Sequence, residues 1–259
     1  MATSDAPPAP AKSGEHAEPW WKRTARSYLT PSMASMLMLG FASGLPIYLV
    51  YQKTAFWLSE EGISRSTIGF FSWVGLLYSF KFIWAPIIDK IELPRLNTLF
   101  GHRRSWMMIS IAGTVAGLTI MSSADPSENL WPVTVGALML AFSGATLDVS
   151  IDAWRIESAP TELQANMAAA YSFGYRFALI YSGLGFVLAG LANWNVSFVV
   201  MALSMGLTGA LVLLIKEPPS ADRPTIDESD SPLRRIRKLF AEPFQQVWAR
   251  YGTLLIPIF

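Results

Sequence analysis

What most constrains this chain is a series of apolar, uncharged runs, each long enough to cross a bilayer or nearly so. They cover Pro31 to Gln52, Ser66 to Phe80 with a continuation from Phe82 to Ile88, Ser105 to Ala124, Asn129 to Leu147, and Phe177 to Ile215. One crossing as a helix needs about 20 predominantly apolar residues. The last run is roughly twice that and is interrupted by Asn193-Trp194-Asn195, which predicts two helices and a tight turn. Composition agrees: 15% of the residues are charged, against about a quarter in soluble domains. The expected fold is an all-α, polytopic membrane bundle of six helices.

The flanks divide the chain further. Residues 1–30 hold Ala6-Pro7-Pro8-Ala9-Pro10 and no apolar run, the composition of a disordered tail. The six-helix bundle occupies 31–215, a polar and basic loop 216–250, and residues 251–259 read as the start of a seventh membrane helix, inside which the chain stops. With no cysteine and two histidines, thiolate chemistry is excluded and a metal site has few ligands to draw on. The balance of 20 Lys and Arg against 19 Asp and Glu lacks the footprint of nucleic-acid binding. No metal, cofactor or enzymatic activity is expected.

Placement of the basic residues sets the expected orientation. Assigning alternate ends of the six helices to opposite sides puts sixteen of the 20 Lys and Arg on the side that holds residues 1–30 and 216–250. Only Lys53 and Arg65 fall on the other side. By the positive-inside rule the N-terminus is cytoplasmic. Trp20, Trp21, Trp57, Trp106, Trp131 and Trp194 lie at or near segment ends, where an interfacial aromatic belt places them.

Lys81, Asp148, Asp152 and Arg176 fall inside the apolar segments. An ionisable group there costs at least about 2.5–3.5 kcal/mol to insert, which makes it a functional candidate. Counted from Thr67 and Trp131, Lys81 and Asp148 lie about 21 and 26 Å deep at ~1.5 Å per residue, so the two can pair if the second and fourth helices are neighbours. The alternative for each is that it snorkels to the headgroups. Asp152 is four residues beyond Asp148 and Arg155 three beyond Asp152, a spacing that serves either a charge relay or an ordinary helix-end ion pair. Arg176, near mid-bilayer, is suited to hold an anionic group bidentately or to neutralise a buried carboxylate. Tyr48, Tyr51, Gln52, Tyr78, Tyr171 and Tyr175 add polar side chains on the first, second and fifth helices, as ligand groups or as packing. Gly44-Leu45-Pro46 is a candidate break in the first helix.

After the second helix the chain reads Trp84-Ala85-Pro86-Ile87-Ile88-Asp89-Lys90 and then Gly101-His102-Arg103-Arg104. An acid at a helix end followed by Gly-Arg-Arg resembles the cytoplasmic loop signature of the major facilitator superfamily, although Ala85-Pro86 stand where that signature has a glycine and the spacer is longer by Leu96 to Phe100. Taken with Gly40-Phe41-Ala42-Ser43-Gly44-Leu45-Pro46, Thr67-Ile68-Gly69-Phe70-Phe71-Ser72, Lys81-Phe82-Ile83-Trp84, Asp148-Val149-Ser150-Ile151-Asp152-Ala153-Trp154-Arg155 and Gly174-Tyr175-Arg176, residues 33–217 resemble the N-terminal half of the AmpG-type muropeptide permeases.

The resemblance implies a monomeric, proton-coupled importer of anhydromuropeptides in the bacterial inner membrane, serving cell-wall recycling. Asp148, Asp152 and Lys81 would couple protons, Arg176, Tyr175, Gln52, Tyr48 and Tyr78 would meet substrate, and Asp89, Lys90, Arg103, Arg104 and Arg155 would form an inner gate. An acetyl-CoA or other anion carrier of the same branch, or a non-transporting membrane sensor, are the alternatives. Two acids on one helix also bring an intramembrane aspartyl protease to mind, but Asp148 and Asp152 lack its Gly-x-Gly-Asp setting.

Overall fold

A computed structural model describes residues 30–219 and Gln245. The expected tail, most of the 216–250 loop and the 251–259 segment lie outside the described residues. Six helices are long and apolar enough to cross a membrane: Pro31–Glu60, Arg65–Ile83, His102–Ser122, Leu130–Ser158, Thr161–Leu191 and Trp194–Val212. They are the first to sixth spans below. In hydrocarbon a helix satisfies its backbone within one segment, and the exposed ends are closed by side chains. Asn129 and Asn193 accept from the Trp131 and Val196 amides, each at 2.9 Å, so the asparagine expected at the hairpin turn starts the sixth span. A short helix, Pro94–Phe100, fills the long spacer after the second span.

The spans associate through small residues. The first packs on the fifth where Gly40 meets the Tyr171 carbonyl and Gly174 meets the Leu37 carbonyl, so that each backbone lies against a neighbour with no Cβ between them. Gly117 and Gly136 do the same for the third and fourth spans, a Cβ at either lying 2.8 Å from the other's carbonyl oxygen. Between membrane helices, where solvent drives nothing together, such close approach supplies the packing energy.

The first span corrects two expectations. Pro46 lies inside a continuous helix, which is α from Pro31 to Tyr48, π from Leu49 to Lys53 and α again from Thr54 to Glu60. Gly44 sits 2.9 Å from the Tyr175 carbonyl oxygen, measured from where its Cβ would be, so it serves packing rather than a break. The span also runs eight residues past Gln52, and Lys53, assigned to the outer loop on its charge, is 1% exposed. Its Nζ rests 3.0 Å from the centre of the Phe186 ring, where a cation–π contact replaces part of its hydration. Trp57 and Trp194 also depart from the interfacial belt. Both are buried and pack on Phe198 at 5.0 and 6.1 Å, whereas Trp131 is exposed.

The glycine contacts give a stability prediction. Gly174→Ala drives a methyl group into the Leu37 carbonyl, and overpacking of this kind costs about 1–3 kcal/mol. Gly183→Ala has open space around its Cβ. Thermal unfolding of detergent-purified protein is expected to show a midpoint several degrees lower for Gly174→Ala and an unchanged one for Gly183→Ala.

Candidate functional site

Four spans bring polar groups together at one point inside the bundle. Asp148 of the fourth span is buried, and Lys81 of the second places Nζ 3.0 Å from its Oδ2. Ser43 of the first span donates to Oδ1, and its Oγ lies 2.6 Å from the Tyr171 hydroxyl of the fifth. Ser43 has one proton and gives it to Asp148, so Tyr171 donates to Ser43. The carboxylate thus has a partner at each oxygen, as a buried charge requires.

Aromatic groups surround this core. Tyr175 lies 6.0 Å from Tyr171 and 5.6 Å from Tyr48, ring centre to ring centre. The Tyr78 hydroxyl, one helical turn before Lys81, sits against Gly144 and is buried without a hydrogen-bond partner among the described residues. Trp84 donates from Nε1 to Thr146 Oγ1 at 3.2 Å. The second span carries Lys81 in a 3₁₀ turn, Lys81–Ile83, between two α segments.

Other expected members lie elsewhere. Asp152 turns to Arg155 at 3.4 Å, three residues on, with its side chain 48% exposed: it makes the helix-end ion pair. Arg176 is exposed on the fifth span. Gln52 is exposed eight residues before the end of the first span, in the wall of a separate groove.

A second cluster joins helix ends at the Asp89 side of the bundle. Arg103 opens the third span with its side chain 6% exposed, pairing with Asp89 at 2.6 Å and with Glu157, at the end of the fourth span, at 2.5 Å. Arg104 does not share Asp89. It donates to the Leu213 and Ile215 carbonyls at 3.1 and 3.0 Å, which lie just past the C-terminus of the sixth span. Glu217 accepts from the Arg103 and Arg104 backbone amides at 2.7 and 3.2 Å, capping the third span at its positive end. Arg155 stays with Asp152, and Lys90 is half-buried beside Asp89. Glu157 and Glu217 escaped the sequence reading because acids at helix ends are ordinary. Ser43 escaped it because a serine among small residues carries no charge signal.

The model of the Major Facilitator Superfamily matches residues 9–259. This chain belongs to that superfamily. As a member with six apolar spans it is a multi-pass membrane protein. Among curated relatives it is 36% identical over 169 residues to the anhydromuropeptide permease of Escherichia coli K12, covering 65% of this chain and 32% of the relative. It is 31% identical over 185 residues to a Rickettsia felis protein named as an AmpG transporter, covering 70% and 44%. An uncharacterized Haemophilus influenzae protein is 31% identical over 226 residues, 87% and 51%. The chain thus spans about a third to a half of the length of these relatives.

The superfamily member's end cluster predicts an asymmetry. Arg103→Leu removes a guanidinium that is 6% exposed and bridges Asp89 and Glu157, a loss of about 3–5 kcal/mol. Asp89→Asn removes a half-exposed partner, worth about 1 kcal/mol or less. Thermal unfolding in detergent is expected to show Arg103→Leu severely destabilised and Asp89→Asn near the unaltered protein.

Proposed function

We propose that this chain forms half of a secondary carrier that imports anhydromuropeptides together with protons across the bacterial inner membrane, for reuse of cell-wall material. The observation that carries the reading is the Lys81–Asp148 pair, a titratable carboxyl held inside a chain whose Escherichia coli relative is named an anhydromuropeptide permease. A carboxyl that keeps an ammonium partner in one conformation and loses it in another binds and releases a proton between them. Alternating access supplies the two conformations, with substrate between two halves near the midplane.

In this reading the carrier is monomeric, its N-terminus and the Asp89–Arg103 cluster face the cytoplasm as the basic residues suggest, and Asp89, Lys90, Arg103, Arg104 and Arg155 belong to the inner gate. Asp152, paired with Arg155, is the secondary coupling group. Arg176 supports a substrate role through its exposure. Facing lipid it would cost about 2.5–3.5 kcal/mol or more, so its face of the fifth span belongs against water or protein. Tyr48 and Tyr175, packed edge to face, and the unpartnered Tyr78 hydroxyl offer a sugar-peptide an aromatic surface and a hydrogen bond, with Gln52 nearer the opposite mouth.

The test is uptake by cells lacking their own muropeptide import. The carrier containing this chain is expected to accumulate a labelled disaccharide anhydromuropeptide in a proton-dependent way. Asp148→Asn is expected to abolish accumulation against a gradient while leaving downhill exchange. Proton-driven accumulation by a normally inserted Asp148→Asn carrier would move the coupling group elsewhere.

A further inference from the structure

At the end of the bundle opposite Arg103, the first span carries a cation that the mechanism above does not use. Lys53 is 1% exposed, and its Nζ has no hydrogen-bond partner among the described residues. No carboxylate among the described residues pairs with it. The fifth span's only acid, Glu162, lies at the other end, the sixth span has no charged residue, and Glu60, two turns further along the first span, accepts instead from Trp194 Nε1 at 2.6 Å. The ammonium rests on the Phe186 ring. It has room because residue 185 is glycine: a Cβ there would stand 3.3 Å from Nζ and 3.0 Å from Ser197 Oγ.

Phe186 also lines a wide-open groove of about 560 Å³ whose wall includes Gln52, Phe56, Ser59 and Arg65. Ligand sites of this size are common, and their few polar groups fix the ligand's orientation. This wall joins aromatic faces, an amide, a hydroxyl and a guanidinium at the mouth, with a buried ammonium held against one of its rings. A lysine ammonium on a flexible stem can be re-aimed, and a desolvated cation without a counter-ion gains strongly from meeting an anion.

We propose that Lys53 is the anion-binding group of a subsite at this mouth: with solute in the groove, its ammonium leaves the Phe186 ring and pairs with a solute carboxylate, while Arg65 stands at the rim. Phe186 holds the charge in place when no anion is present. The choice of solute rests on the muropeptide reading, since the peptide arm of such a molecule carries carboxylates.

The test uses the complete carrier in proteoliposomes and two probes, an anhydromuropeptide with a tripeptide arm and the same molecule with its peptide carboxylates converted to amides. The unaltered carrier is expected to show a KM about tenfold lower for the acid than for the amide. Lys53→Met is expected to raise the acid KM about tenfold at unchanged kcat and to erase the preference; Lys53→Arg is expected to keep it. Because the preference is read first on the unaltered carrier, equal KM values overturn the subsite however the variants fold. A preference that survives Lys53→Met, or a variant that loses kcat for both probes at unchanged KM, overturns it as well. Uptake of neither probe by the unaltered carrier overturns the muropeptide reading and this subsite with it, whereas equal uptake of both overturns the subsite alone.

Discussion

A carboxylate inside a membrane bundle has to be paired, and the pairing of Asp148 organises the rest of this structure. Lys81 and Ser43 each satisfy one oxygen, and Tyr171 extends the chain of hydrogen bonds to the fifth span. These partners reach Asp148 only if four helices pack closely. The glycines at 40, 44 and 174 let the first and fifth spans meet backbone to backbone, which sets Ser43 beside Tyr171. The irregular second span, with its 3₁₀ turn at Lys81, completes the cluster from the other side. Removing one member of such a pair costs about 3–5 kcal/mol because it strands the other charge. An element that can hold two arrangements of this pair is therefore biased strongly by either.

The end cluster does a different task with the same chemistry. Arg103 joins the short helix Ala85–Lys90, which follows the second span, to the start of the third span and the end of the fourth through Asp89 and Glu157, and Arg104 with Glu217 ties in the end of the sixth. Four helix ends are thus fastened together at this end of the bundle. The opposite mouth has no comparable latch among the described residues: Lys53 lies on an aromatic ring and Glu60 on an indole, while Glu61, Arg65, Asp125 and Glu128 are exposed.

The spans were legible because uncharged runs and a hairpin asparagine are physical requirements of a membrane helix. Depth counting also brought Lys81 and Asp148 to one level, and the structure sets them 3.0 Å apart. The rule that a charge ends a span failed at Lys53, because burial against Phe186 is a tertiary arrangement that no run length encodes. Gly44-Leu45-Pro46 promised a break, yet the helix continues through Pro46 and absorbs the irregularity as a π turn one residue after Tyr48. Arg104 and Arg103 look alike in sequence, but only the path of the sixth span decides that one meets carbonyls and the other carboxylates.

The central claim is that a proton crosses with each solute through the Asp148 cluster. Its most direct test is the pH outside de-energised vesicles, at zero membrane potential, when an anhydromuropeptide is added to the carrier containing this chain. The account predicts that the medium turns alkaline as solute enters, with a rate that follows solute uptake. Entry of the solute with no change in external pH would contradict it.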